Sequence, residues 1–214
     1  MVAADYGRGR PELRLLPSTA DLFHLLGQQR CATAVLDIPI GLPESGPREC
    51  DKDARLLLGR RASTVFSAPP REVVEARSQS EATLRWRRLD GRGCSAQTFG
   101  ILPRIREVDL ALDHWAGGEV FEGHPEIAFL EMAGQRPLPS KHTGEGRRLR
   151  MELLSLYFPS LPEEVAAHPS LVEDALDAFA CLWTAGRIAD GRGRHVPSDS
   201  EETDSKGIRM AIWY

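Results

Sequence analysis

The sequence predicts an α/β domain, and three observations predict it. Residues 31–43, CATAVLDIPIGLP, form a short apolar run closed by Pro and Gly, the pattern of a buried strand that ends in a loop. Residues 119–130, EVFEGHPEIAFL, read as a second strand. Residues 171–189, LVEDALDAFACLWTAGRIA, carry apolar side chains at helical spacing over a long stretch. With 214 residues, 42% of them hydrophobic, the chain is long enough to bury a core, and one domain spanning residues 1–214 is expected.

Residues 1–5 are a short strand, residues 6–11 a Gly/Arg-rich turn, and residues 12–16 the returning strand of a hairpin. Ser18 is a good N-cap, with Asp21 three residues on, and Leu22, Phe23, Leu25 and Leu26 give an inward helical face that ends at Gly27. After the strand at residues 31–37 come a polar loop, a helix over 51–58, a loop over 63–70 and a helix over 71–89 with a basic end. A glycine-rich turn at 91–95 precedes a helix over 101–115. Residues 134–150 are polar and basic and lead into a helix that runs to Tyr157. Beyond the helix at 171–189, residues 191–205 form a loop and residues 208–214 a final edge strand, for a mixed, five-strand-like sheet in all.

Three of these elements offer acids. Pro39 cannot donate to a strand ladder, so regular pairing stops near Asp37 and leaves its carboxylate at the end of a buried strand, where open α/β sheets bind ligands. An Asp there also serves turns. In an extended chain Glu122, His124 and Glu126 share one face. Asp174 and Asp177 lie one helical turn apart on an otherwise small-residue and apolar helix, where like charges repel unless a cation sits between them. Carboxylate-only ligands select hard cations, Mg²⁺ or Mn²⁺, and such ions position water for phosphoryl displacement. Lys141, His142, Arg147, Arg148 and Arg150 are able to meet a polyanion, although a solvated loop also explains them.

Other features narrow the function. A net charge of −4 argues against a broadly basic nucleic-acid scaffold. Four widely spaced cysteines with no CxxC pair suggest reduced thiols and a cytoplasmic setting. No apolar run approaches the roughly 20 residues of a membrane span, no signal peptide is apparent, and no membrane partner is expected. There is no GxGxxG or GxxxxGK[ST] phosphate loop and no GxSxG elbow.

Several segments taken together resemble a known family. They are LDIPIGLP (36–43), CDKDARLLLGRRASTVFSAPPR (50–71), IREVD (105–109), EGHPEIAF (122–129), Ser140-Lys141, EDALDAFACLWTAGR (173–187) and the stretch from Asp204 through Gly207. In this order the chain is similar to the DUF429 family of predicted nucleases with a ribonuclease H-like fold. The resemblance implies an α/β, ribonuclease H-like mixed sheet flanked by helices, and metal-dependent phosphodiester hydrolysis with Mg²⁺ or Mn²⁺. Asp37 falls on the strand-end acid of ribonuclease H-like enzymes. Asp174 and Asp177 resemble the paired acids on the C-terminal helix of the superfamily's Holliday-junction resolvases. Glu122 and His124 match the family's EHPE motif. The expected site is therefore Asp37, Asp174 and Asp177 as metal ligands, Glu122 as a further catalytic acid, and Lys141, His124 and Arg147 toward a DNA or RNA substrate. Members of the family usually begin with a strand carrying a GVDG-like motif, and this chain reads as starting at the second strand. Two rival readings are a non-catalytic binding module on the same fold and a nucleotide-dependent phosphotransferase.

Overall fold

The computed structural model describes residues 1–6 and 10–214. The middle of the turn expected at residues 6–11 lies outside the described residues. In chain order the elements are β1 (Val2–Asp5), β2 (Glu12–Leu15), α1 (Thr19–Gln28), β3 (Thr33–Leu36), α2 (Glu49–Leu58), a 3-10 turn (Gly59–Thr64), α3 (Arg71–Val74), α4 (Gln79–Asp90), α5 (Ala96–Asp113), β4 (Glu119–Gly123), α6 (Pro125–Met132), α7 (Gly144–Ser155), α8 (Leu161–Ala166), a second 3-10 turn (Pro169–Leu171), α9 (Val172–Ala189), β5 (His195–Val196) and β6 (Ile212–Trp213). The fold is α/β, a mixed sheet flanked by helices. The chain divides into two compact units, one of Met1–Asp37, Gly117–Arg194 and Trp213–Tyr214, the other of Ile38–Ala116 and His195–Ile212.

The first unit is built on α9. β1 and β2 pair antiparallel in register Val2↔Leu15 to Asp5↔Glu12, and Arg14 donates across the hairpin to Asp5 at 2.5 Å. Ser18 caps α1 by accepting the Asp21 N–H at 3.2 Å, and Leu22, Phe23 and Leu26 face inward. β3 then pairs in parallel with β4, from Thr33↔Glu119 to Leu36↔Glu122, so Asp37 follows the last ladder pair. β6 lies beyond β4 in this sheet, with Trp213 against Phe121 at 4.9 Å between ring centres, and Tyr214 exchanges main-chain bonds with Arg194. α9 packs on β1, β3, α6 and α7. Its Ala175, Leu176, Phe179, Ala180 and Trp183 are buried with Phe129, Leu154 and Phe158, and Phe158 meets Phe179 edge-on at 5.3 Å. Each fully buried Leu or Phe of this group contributes about 1.5–3 kcal/mol.

The strand expected over residues 119–130 is half strand and half helix. β4 ends at Gly123, where a Cβ would collide with the Val35 side chain. His124 is the N-cap of α6 and Pro125 its first residue. Pro has no N–H to give a ladder, and its fixed φ suits a helix start. Ile127, Ala128, Phe129 and Leu130 are all buried, so an apolar-all-round helix imitates a strand core. Glu122, His124 and Glu126 therefore do not share a strand face.

In the second unit, α3 to α5 enclose a core of Leu42, Val73, Val74, Ala82, Trp86, Leu102 and Ile105. The helix expected over residues 71–89 is broken in two, because Ser78 caps α4 by accepting the Glu81 N–H at 3.2 Å. α5 starts at Ala96, earlier than expected, behind the N-cap Ser95. Arg48 and Asp51 form a fully buried ion pair at 2.6 Å, and Arg48 also donates to the Ile40 and Gly41 carbonyls. The edge strand expected over 208–214 shrinks to Ile212–Trp213, with one isolated bridge between Thr203 and Arg209.

Candidate functional site

Two side chains meet in the first unit from elements far apart in sequence, and a third, Asp37, lies within reach of their charges. Asp37 follows the end of β3. Asp177 lies in the second turn of α9. Lys141 comes from the loop between α6 and α7, and its ammonium donates to Asp177 Oδ2 at 2.6 Å. The other oxygen, Asp177 Oδ1, is buried and makes no hydrogen bond.

The loop that carries Lys141 is fixed from below. Arg150, fully buried in α7, donates to the Pro139 carbonyl and the Gly146 carbonyl, both at 2.9 Å. Its other nitrogen grips both oxygens of the buried Glu126 at 3.0 and 2.8 Å. The ring of Phe129 lies 5.2 Å from the guanidinium. Thr143 caps α7 by accepting the Gly146 N–H and donates to the Ser140 carbonyl. A Cβ at position 146 would collide with that carbonyl, so only glycine lets the loop fold this tightly onto the helix.

The electrostatics follow from this packing. Asp37 is exposed at its own surface yet densely surrounded, and desolvation by those surroundings pushes its pKa up to about 6, with Lys141 pulling it down and Glu126 pushing it up. Burial likewise pushes Asp177 up to about 6, against the charge and hydrogen bond of Lys141 and helped by Asp37 and Glu126. Burial acts to lower the Lys141 ammonium, but Asp177, Asp37 and Glu126 outweigh it and hold its pKa above the ordinary value. Burial, with Asp37 and Asp177 beside it, raises the Cys181 thiol well above its usual range, so it is no nucleophile at neutral pH.

The other expected site residues are placed differently. Asp174, one turn before Asp177, is exposed in the first turn of α9, where an acid suits the helix dipole. Glu122 is buried on β4 in register with Leu36, the residue before Asp37. His124 is half-buried at the start of α6. Arg147 donates to Glu173 at 3.1 Å, and His142 meets the other oxygen of Glu173 at 2.9 Å, so both tie the Lys141 loop to the start of α9. The sequence reading missed Glu126–Arg150 as a buried pair. Its signal was present, a Glu in an otherwise apolar run and an Arg four residues after a Gly, but nothing local joins the two.

Among the described residues, no three His, Cys, Asp or Glu side chains converge in a group able to hold a metal ion. Asp37 and Asp177 instead present an oxygen-only pair with one orphaned buried oxygen. Mg²⁺ is ordinarily held by one or two carboxylates, with water and substrate phosphate completing its shell, and the pair fits that kind of site.

A second acid–base cluster lies within the other unit and is bonded throughout. Asp204, whose side chain is fully buried, accepts from the Leu42 N–H at 3.0 Å, from the Lys206 and Ile208 N–H groups at 2.9 Å each, and from Arg71. Arg71 also grips Asp109 at 2.7 and 2.9 Å. Lys206 bridges Asp109 at 2.9 Å and Asp113 at 2.7 Å. The hydrogen bond from Lys206 holds Asp113 below the usual carboxylate range.

No helix among the described residues is long and apolar enough to cross a membrane. Comparison with curated proteins and with solved structures finds no match. A family model described as "Protein of unknown function (DUF429)" matches residues 1–202. With that match spanning nearly the whole chain and the segments noted in the sequence lying within or beside it, the chain belongs to the DUF429 family.

Proposed function

We propose that the chain is a divalent-metal-dependent phosphodiesterase acting on nucleic acid, with its centre at Asp37 and Asp177. The observation that carries this reading is the approach of two carboxylates, each pushed to about 6, from the end of β3 and from α9, with one buried oxygen left without a donor. A fold does not otherwise keep charge so poorly compensated. Asp37 and Asp177 would hold Mg²⁺ or Mn²⁺. When bound, such an ion polarises a phosphoryl oxygen and lowers the pKa of bound water. Lys141 offers an ammonium to a non-bridging phosphate oxygen, and Arg150 with Glu126 holds the loop that presents it. Arg147, in the first turn of α7, is a second cation for the substrate backbone once it leaves Glu173. Glu122 lies on the strand beside the one that ends in Asp37 and supports the same centre. Asp174 is exposed, and its place is at the rim. The four free cysteines fit a reducing, cytoplasmic setting.

The test is cleavage of single-stranded and branched DNA and RNA oligonucleotides with Mg²⁺ or Mn²⁺, using the parent chain, Asp37→Asn and Asp177→Asn. Metal-dependent cleavage lost by at least about 100-fold in both variants supports the reading. Cleavage undiminished in either variant, or a parent chain that neither cuts nor binds a divalent ion, overturns it.

A further inference from the structure

We infer that Lys141 is the site's own counter-ion, standing on Asp177 in competition with the divalent cation and yielding to it when the site is loaded. The inference rests on the reading of Asp37 and Asp177 as cation ligands. Lys141 donates to Asp177 Oδ2 at 2.6 Å while Oδ1 of the same carboxylate has no donor, so the ammonium engages only one of the two oxygens.

Charge makes the competition necessary. Asp37 and Asp177 contribute two negative charges, Lys141 one positive, and Glu126 is matched by Arg150. The cluster thus carries one net negative charge without a cation. A divalent ion beside an unmoved Lys141 overshoots to one positive, and two cations then share one carboxylate. A phosphodiester brings one negative charge and restores neutrality. Loading with metal and substrate therefore favours transfer of the Lys141 ammonium from Asp177 to phosphate, and each ligand raises the affinity of the other.

The build of the loop permits this transfer and little else. Its backbone is pinned by Arg150, by Thr143 and by the tight contact at Gly146. The lysine side chain is more exposed than its partner, 29% against 14% for Asp177, and four methylenes let the ammonium swing while the backbone stays.

The experiment is a Mn²⁺ titration by calorimetry at pH 8, where both carboxyls are ionised, on the parent chain, Lys141→Met and Asp177→Asn, each checked by thermal melting. The inference expects Lys141→Met to bind Mn²⁺ about tenfold or more tightly than the parent, and Asp177→Asn to lose binding. A parent that binds Mn²⁺ while Lys141→Met binds it equally or more weakly overturns the inference and leaves the proposed function standing. Absence of binding in both parent and Lys141→Met overturns both. Should Lys141→Met not fold, the ¹⁵N signal of the Lys141 ammonium in the parent gives the answer. It should move toward the free-lysine position as Mg²⁺ is added, and a signal that stays fixed while Mg²⁺ binds contradicts the inference.

Discussion

The Asp204 carboxylate accepts four hydrogen bonds, three of them from backbone N–H groups, whereas among the described residues the Asp177 carboxylate accepts one, from Lys141. Both belong to clusters of aspartates and cations, and each cluster lies within its own unit. In the Asp204 cluster every carboxylate meets a charged donor, and Asp113 is held below its ordinary range by Lys206. In the Asp37–Asp177 cluster one lysine serves two carboxylates, and both are pushed to about 6. The residue types are the same. What differs is the number of donors per carboxylate, and that number separates an acid that holds a loop in place from an acid with capacity to spare for a ligand.

The largest break comes from removing a partner that is fully used. Arg150→Met takes the bidentate donor from the buried Glu126 and one donor from each of the Pro139 and Gly146 carbonyls. It should cost about 3–5 kcal/mol in urea unfolding, and adding Glu126→Gln should recover part of the loss. A value under about 1 kcal/mol would show that the pair does not hold the Lys141 loop.

Next, Asp204→Ala removes an acceptor from three backbone donors and Arg71, at a cost of about 2–4 kcal/mol. Asp177→Ala, measured the same way at pH 8, should cost under about 1 kcal/mol, since the carboxylate it removes is poorly compensated. Equal costs for the two would erase the distinction between the clusters.

The smallest effect is in the pH dependence. Asp37 and Asp177 have folded pKa values above their unfolded ones, so between about pH 4 and pH 6 the folded chain binds more protons than the unfolded chain. Their contribution to stability is complete below pH 4 and is lost as the pH rises through 6. Asp37→Asn should therefore raise Tm at pH 8, by about 2 °C given the residue's solvent contact, by a smaller amount at pH 5, and change it little at pH 3.5. An equal change at all three pH values would place the Asp37 pKa near its ordinary value.

Much of this was legible in the sequence where the signal is local. Pro39 gives the end of the strand before Asp37, and Ser18 with Asp21 gives the start of α1. Lys141 and Asp177 could each be singled out, one as a cation in a polar loop and the other as a charge deep in an apolar helix. Their meeting was not legible, because it depends on how the α6–α7 loop is laid against α9, and that is set by Arg150, which nothing local joins to its partner Glu126. The strand over 119–130 failed for a related reason. Ile127 to Leu130 are buried on every side, so their pattern carries no period, and Pro125 was the only sign of a helix start.

The central claim is that Asp37 and Asp177 are under-compensated acids sharing one lysine. Its most direct test is a ¹³C NMR titration of the aspartate carboxyl carbons, assigned with Asp37→Asn and Asp177→Asn, from pH 3 to pH 9 without divalent ions. The account predicts that both signals titrate near pH 6, apart from the bulk of the aspartates. Midpoints near the ordinary value of about 4 for both would contradict it.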